Sequence, residues 1–292
     1  MKNLKGTGVA VVTPFLKTGK VDFPSLEKII RKLIRGKVEY LVVLGTTGES
    51  STLVFEEKKE VLACFKSVAG GKVPLVLGIG GNSTSQVIQQ MGSFDLRGVT
   101  AILSVSPYYN KPNQRGLAAH YKAIDKEASI PVILYNVPGR TAMNLTAETT
   151  LKLAEECKNI IGIKEASGNM EQIMQIIKHR PKDFLVISGD DNLTFPILAC
   201  GGDGVISVVA NAYPLEFSTM VRKALSGNYV LARKYHYLLT DLTSLLFSDG
   251  NPGGIKAALA VQEFCEEHVR LPLVPVTPEV KKKILREMKT IG

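Results

Sequence analysis

Short apolar segments rich in β-branched residues alternate with segments of helical period along roughly the first 210 residues. The apolar segments are nearly continuous hydrophobic runs, which is typical of strands buried on both faces of a parallel sheet. Regular alternation of strand and helix indicates βαβ units. The predicted strands cover 8–12, 40–44, 74–79, 99–105, 132–135, 160–164, 184–188 and 205–209.

An unbroken series of eight such repeats predicts an α/β fold, a closed (β/α)8 TIM barrel. An open doubly wound sheet is the alternative, but it usually has fewer strands and a glycine fingerprint after the first strand. Here the first strand ends in Thr13-Pro14-Phe15. Helices are predicted at 23–35, 56–68, 85–94, 114–128, 147–157, 170–179, 193–200 and 214–224.

Strand signals stop near residue 225, and three helical segments follow, at 229–247, 254–266 and 278–288. We therefore expect a catalytic barrel at residues 1–225 and a small C-terminal helical region at 226–292. The length of 292 residues is ample for a sizeable core.

Composition excludes several classes of protein. The sequence has no apolar run of 18 residues and no signal-peptide pattern, so neither a membrane span nor secretion is expected. Four scattered cysteines suit the reducing cytoplasm. The net charge of +9 comes without a nucleic-acid-binding motif, so it indicates an anionic small substrate or nothing specific.

Lys164 is the residue whose position carries most chemical information, since it lies inside the apolar segment 160–166. An ammonium group surrounded by isoleucines loses its water, and this favours the neutral amine. A neutral amine can attack a carbonyl carbon and form a Schiff base. The alternative is a surface lysine at a strand end, because lysines are mostly exposed.

Catalytic groups of barrels come from the carboxyl ends of the strands and the loops just after them. Hydroxyl groups, glycines, one arginine and the lysine gather at these ends, in the segments 45–50, 78–82, 104–110, 135–141, 164–165, 188–191 and 204–207. Such a rim can bind a small carboxylate and stabilise a Schiff base.

Each of these residues also has an ordinary structural interpretation. Ser50 could cap a helix, Tyr135 could be a core tyrosine, and Arg140 could lie on the surface. Asp190-Asp191 could bind magnesium or cap the next helix. The four histidines are dispersed, so no metal site is expected.

Four motifs resemble the signature of the 4-hydroxy-tetrahydrodipicolinate synthase (dihydrodipicolinate synthase) family, and the resemblance runs nearly end to end. They are Gly45-Thr46-Thr47-Gly48-Glu49, Tyr108-Tyr109-Asn110, Tyr135-Asn136-Val137-Pro138-Gly139-Arg140-Thr141 and Gly162-Ile163-Lys164-Glu165-Ala166. Other pyruvate-dependent class I aldolases, such as N-acetylneuraminate lyase and keto-deoxy sugar-acid aldolases, share the lysine and the tyrosine. Arg140 and the paired threonines favour the synthase, and a non-catalytic carboxylate-binding barrel is a third possibility.

The resemblance implies a catalytic set. Lys164 forms an imine with pyruvate, which makes the methyl carbon an enamine nucleophile without any other cofactor. Tyr135 transfers protons as general acid and base, through Thr46 to Tyr109. In the family, the residue matching Tyr109 reaches into the neighbouring subunit's site, and members are commonly homotetramers built as dimers of dimers.

The resemblance also implies substrate contacts. Thr47 holds the pyruvate carboxylate, Arg140 holds the carboxylate of L-aspartate 4-semialdehyde, and Gly189 and Ile206 line the pocket through backbone groups. The family's product, (4S)-4-hydroxy-2,3,4,5-tetrahydrodipicolinate, lies on the diaminopimelate route to lysine.

The chain departs from the family in two places. Many bacterial members are inhibited by lysine through a histidine and a glutamate, and the aligned residues here are Lys58 (or Phe55) and Gln86, whereas Asn82 and Tyr108 match. Losing a carboxylate weakens binding of a cationic effector, so sensitivity to lysine is expected to be weak or absent. The second departure, at 251–256, is expected to alter only a loop.

Overall fold

The computed structural model describes residues 4–291 and contains a closed barrel of parallel strands, which confirms the predicted (β/α)8 fold. Each strand pairs with its neighbours in the chain, and the last strand pairs with the first through Gly204 and Gly6. The strands are β1 (Gly6–Ala10), β2 (Tyr40–Val43), β3 (Leu75–Gly78), β4 (Ala101–Val105), β5 (Val132–Asn136), β6 (Ile160–Glu165), β7 (Leu185–Ser188) and β8 (Gly204–Ser207).

Helices surround the barrel, and polar side chains cap many of them, because a helix leaves its first backbone N–H groups without intrahelical acceptors. Asp22, Ser83, Asn113, Thr146 and Asn169 accept such bonds. The helices are α1 (Phe23–Arg35), α2 (Phe55–Ala69), α3 (Thr84–Ser93), α4 (Gln114–Glu127), α5 (Pro138–Thr141), α6 (Ala147–Glu156), α7 (Met170–His179), α8 (Thr194–Ala199), α9 (Pro214–Leu225), α10 (Tyr229–Ser248), α11 (Gly253–Val261) and α12 (Pro278–Ile291).

The apolar core has two parts. One fills the layer between the sheet and the helices, and the other fills the barrel interior, as the alternation of side chains along each strand requires. The interior part consists of Leu4, Ala10, Tyr40, Val42, Val76, Ala101, Leu103, Ile133, Tyr135, Val137, Leu185, Ile187 and Ile206.

The C-terminal helices pack closely on the barrel. Helix α10 contacts α8 and α9, and α11 contacts α10 and α12. The division at residue 225 stays a prediction. Several details differ from the sequence-based expectation: the short helix α5 follows β5, α11 ends at Val261 rather than at 266, β1 covers 6–10 rather than 8–12, and β8 ends at Ser207 rather than at 209. Within residues 4–291, no helix is both long and apolar enough to cross a membrane.

Candidate active site

A cavity of about 720 Å³ opens at the carboxyl ends of the strands. Residues from the ends of seven strands, all but β3, and from the C-terminal helical region enclose it, so it lies where a barrel places its active site. Six of the predicted catalytic and substrate-binding residues line this cavity: Thr46, Thr47, Tyr135, Arg140, Lys164 and Gly189.

Lys164 lies at the wall of the cavity and is only 6% exposed. It pairs in register with Tyr135 on the neighbouring strand, and its Nζ lies 4.2 Å from the centroid of the Tyr135 ring. A Cβ at Gly189 would lie 3.0 Å from Lys164 Cε and 2.6 Å from Ala166 Cβ. Glycine at position 189 therefore leaves the room that the lysine side chain occupies.

Glu165 points away from the cavity, as the alternation of side chains along β6 requires. Its carboxylate accepts hydrogen bonds from Asn136 Nδ2 at 3.1 Å, Ser167 N at 2.8 Å and Gln172 Nε2 at 2.9 Å. Burial raises the pKa of Glu165, and these hydrogen bonds oppose that shift. The Glu165 side chain is thus engaged in a buried polar network on the outer face of the sheet.

The two threonines lie on a tight turn, Thr46–Gly48, directly after β2. Thr13 Oγ1 donates to the carbonyl of Gly48 at 2.7 Å. Glu49 ends the turn in the left-handed conformation, at φ 51°. Thr46 is exposed toward the cavity, whereas Thr47 is buried and its Oγ1 accepts a hydrogen bond from Asn251 Nδ2 at 3.0 Å.

Arg140 lies on the short helix α5, which follows β5 at the rim. Its backbone N–H donates to Val137 O at 2.9 Å, and this fixes the base of the side chain. Within residues 4–291, the guanidinium group has no carboxylate partner. An exposed, unpaired arginine at a cavity mouth is suited to a substrate carboxylate.

Two other predicted residues lie outside the cavity of their own chain. Tyr109 is 89% exposed and has a φ of 67°, so it projects from the loop after β4. Ile206 is buried in the barrel interior, and Val208, two residues later, lines the cavity instead. The side chain of Ile206 thus belongs to the packed interior, and the contact expected from its backbone groups stays a prediction.

The four residues predicted to correspond to a lysine-binding site do not share one cavity in a single chain. Lys58 lines a cavity of about 80 Å³ beside Thr46 and Tyr135, and burial lowers the pKa of Lys58. Asn82 lines a separate cavity of about 310 Å³. Gln86 and Tyr108 are exposed.

The sequence-based reasoning missed one wall of the main cavity. Helix α10 and the segment after it contribute most of this wall, and no motif in their sequence indicated it. The additional lining residues are Asn192, Leu193, Thr243, Ser244, Phe247 and Asn251.

Asp190 and Asp191, which follow β7, accept hydrogen bonds from backbone groups of the protein. Asp190 Oδ1 accepts from the backbone N–H groups of Asn192 and Leu193, at 3.0 and 3.3 Å. Asp191 Oδ2 accepts from Val208 N at 2.9 Å. Both carboxylates therefore stabilise the loops that follow β7 and β8, whereas neither caps the next helix, α8, which has no side-chain cap.

The fold and the cavity place this chain in the class of (β/α)8-barrel enzymes whose active site contains a buried lysine. Residues 3–291 match the model of the dihydrodipicolinate synthetase family. A curated relative from Parabacteroides distasonis, named 4-hydroxy-tetrahydrodipicolinate synthase, is 51% identical over 289 residues, 98% of this chain and 97% of the relative. The chain therefore belongs to the dihydrodipicolinate synthetase family.

Solved structures agree with this assignment. Dihydrodipicolinate synthase from Aquifex aeolicus is 40% identical and superposes with a TM-score of 0.94, over 98% of this chain and 97% of that chain. The chloride-inhibited synthase from Acinetobacter baumannii, complexed with pyruvate, is 38% identical with a TM-score of 0.96, over 99% of each chain.

Proposed function

We propose that this enzyme is a 4-hydroxy-tetrahydrodipicolinate synthase, which condenses pyruvate with L-aspartate 4-semialdehyde. The observation that carries the proposal is the buried amine of Lys164 beside Tyr135 in the cavity. The names of the relatives support the activity, and the pyruvate complex of the Acinetobacter baumannii enzyme supports the first substrate.

The first step joins pyruvate to the protein. The Nζ of Lys164 attacks the C2 carbonyl of pyruvate, and loss of water gives an imine. Removal of a methyl proton then leaves an enamine, whose terminal carbon is the nucleophile. Because the imine itself supplies the electron sink, the reaction needs no metal and no separate cofactor.

Tyr135 transfers the protons of these steps. Its ring covers the lysine amine, so its hydroxyl stays close to any intermediate bound there. A phenol is a weak acid and transfers protons efficiently only within a hydrogen-bonded chain. We propose that Thr46 continues this chain, and that Tyr109 of a second copy completes it.

The second substrate binds at the mouth of the cavity. Arg140 pairs with the carboxylate of the semialdehyde, which brings its aldehyde carbon toward the enamine. A C–C bond forms, and the aldehyde oxygen becomes the 4-hydroxyl group. The amino group of the semialdehyde then attacks C2, closes the ring and releases the amine of Lys164.

The proton relay requires association of two chains, because Tyr109 does not line the cavity of its own chain. We propose a homotetramer built as a dimer of dimers. All four cysteines are free, as is usual in reducing compartments, and we propose that the enzyme works in the cytoplasm.

Borohydride reduction in the presence of pyruvate tests the proposal. The expected result is a covalent pyruvate adduct that peptide mass analysis locates at Lys164, and that Lys164→Met abolishes. The matched control is Lys178→Met, on the outer helix α7, which should trap normally. Absence of the adduct from the unmodified enzyme would overturn the mechanism and leave a carboxylate-binding barrel without this chemistry.

A second candidate activity is that of another pyruvate aldolase, which would cleave a sugar acid. Arg140 disfavours it, because a polyhydroxylated chain has no carboxylate to pair with a cation at that end. Assays with pyruvate plus semialdehyde, and separately with sialic acid, distinguish the two activities.

A further inference from the structure

The segment Asn251–Lys256 reaches the turn that carries Thr47. Asn251 lines the main cavity and is 8% exposed. Its Nδ2 donates to Thr47 Oγ1 at 3.0 Å, across about 200 residues of sequence. The segment therefore does more than alter a loop, because it connects α11 to the substrate-binding turn.

The direction of this hydrogen bond determines what Thr47 can do. A hydroxyl group has one hydrogen to donate and lone pairs that accept. When Asn251 fills the acceptor side, the hydrogen of Thr47 remains available. No acceptor for it is found within residues 4–291, and Thr47 lies at the cavity wall. Its hydrogen is therefore available to a ligand in the cavity.

Two contacts hold Asn251 in place relative to the turn. Lys256 and Glu49, both fully buried, form an ion pair with 2.5 Å between Nζ and Oε1. Glu49 directly follows the turn, and Lys256 lies on α11. A Cβ at Gly254 would lie 2.1 Å from Leu246 O, so glycine is needed for the close approach of α11 to α10.

We propose that Asn251 is a positioning residue that orients the Thr47 hydroxyl to donate to the carboxylate of pyruvate. This inference rests on the proposed function, in which Thr47 holds that carboxylate. With the amide nitrogen of Asn251 facing Thr47, the hydrogen of the Thr47 hydroxyl is not used by Asn251, whose own Oδ1 has no partner within residues 4–291. The residue thus favours substrates with an anionic oxygen at this position.

The substitution Asn251→Asp is the most direct test, because it keeps the shape of the side chain and replaces the amide donor by a carboxylate acceptor. The carboxylate then takes the hydrogen of Thr47 and repels the substrate carboxylate. The pyruvate concentration that half-saturates borohydride trapping at Lys164 should rise about tenfold or more. The KM for the semialdehyde should stay within about twofold, since Arg140 is untouched. Asn228→Asp, at the exposed start of α10, is the matched control.

A double-mutant cycle tests whether Asn251 acts through Thr47. Asn251→Ala should raise the half-saturating pyruvate concentration about threefold in the normal enzyme and leave it unchanged in Thr47→Val. This double-mutant cycle still tests the inference if Asn251→Asp does not fold. Circular dichroism would show whether that variant is folded.

Two results would overturn the inference: trapping of Asn251→Asp at the normal pyruvate concentration, or an undiminished effect of Asn251→Ala in Thr47→Val. Failure of the unmodified enzyme to form any adduct would instead overturn the proposed function. The two failures are therefore distinguishable in one experiment.

Discussion

The amine nitrogen of Lys164 lies 4.2 Å from the centroid of the Tyr135 ring, at positions where β5 and β6 are paired. The pairing fixes both Cα atoms, so the distance is set by the barrel and not by a flexible loop. Any intermediate bound to Lys164 is consequently held beside the phenol of Tyr135.

Replacing Tyr135 by Phe keeps the ring and removes the hydroxyl group. We expect kcat to fall about 100-fold or more, since general acid–base catalysis typically contributes that much. The ring still covers the amine, so slow trapping of pyruvate at Lys164 should persist. A coupled assay measures kcat, and Tyr237→Phe, on an exposed part of α10, is the control. A kcat within twofold of normal would exclude the proton-transfer role.

Replacing Arg140 by Ala should act on the second substrate alone. We expect the KM for the semialdehyde to rise about tenfold or more, because a charge-assisted hydrogen bond is lost. Arg140→Lys should keep only part of the affinity for the semialdehyde, since an ammonium group cannot form the bidentate pair that a guanidinium group forms with a carboxylate. Steady-state kinetics with each substrate varied measures this, with Arg233→Ala as the control. An equal rise in the KM for pyruvate would contradict the assignment.

The buried pair of Lys256 and Glu49 should be important for stability. Lys256→Met leaves the carboxylate of Glu49 buried without its cation, which should cost about 3–5 kcal/mol of unfolding free energy. The added change Glu49→Leu should recover part of that loss. Urea unfolding measures both, and Lys283→Met, in an exposed pair with Glu279, is the control. The expectation fails if Lys256→Met unfolds at the same urea concentration as the control.

His120 should make stability depend on pH. Burial lowers the pKa of His120 to about 4, from an ordinary value of 6.5. The folded state therefore prefers the neutral ring, and its stability is complete above pH 6.5 and falls as the pH falls toward 4. The loss should be on the order of 3 kcal/mol over that window.

His120→Gln removes the titrating ring and should reduce this pH dependence. Unfolding free energies of both proteins at several pH values between 7 and 4.5 provide the measurement. Parallel curves for the two proteins would show that another group causes the loss at low pH.

Lysine should inhibit the enzyme weakly or not at all. Gln86 offers no negative charge to a cationic effector, and the half-buried cation of Lys58 opposes it. The paired change of Gln86→Glu and Lys58→His should therefore increase inhibition. An activity assay with added lysine measures both forms. Half-maximal inhibition of the unmodified enzyme at sub-millimolar lysine would contradict the expectation.

Much of the fold could be predicted because hydrophobic periodicity reports burial directly. Strands buried on both faces gave continuous apolar runs, and these located β2, β5 and β6 to within a few residues. The ends of the strands were predicted less accurately. Val208 and Val209 were assigned to β8 because they are apolar, yet they lie beyond it, in the turn that supplies the cavity wall.

The site could be predicted only as far as residues that lie at strand ends. Lys164 and Tyr135 occupy such positions, and the topology brings these together. Asn251 reaches Thr47 from the turn between α10 and α11, and nothing in the local sequence predicts a contact across about 200 positions. The sequence analysis did not predict the orientation of Glu165, and its hydrogen bond with Gln172 depends on how α7 packs.

Closure of the barrel between β8 and β1 has a consequence for biosynthesis. The ribosome makes β1 first, yet its second neighbour does not exist until residue 207 has been translated. The turn bearing Thr47 waits still longer, for Asn251 and Lys256. A nascent chain therefore carries Lys164 for on the order of ten seconds before the residues that complete the wall of its cavity have been translated.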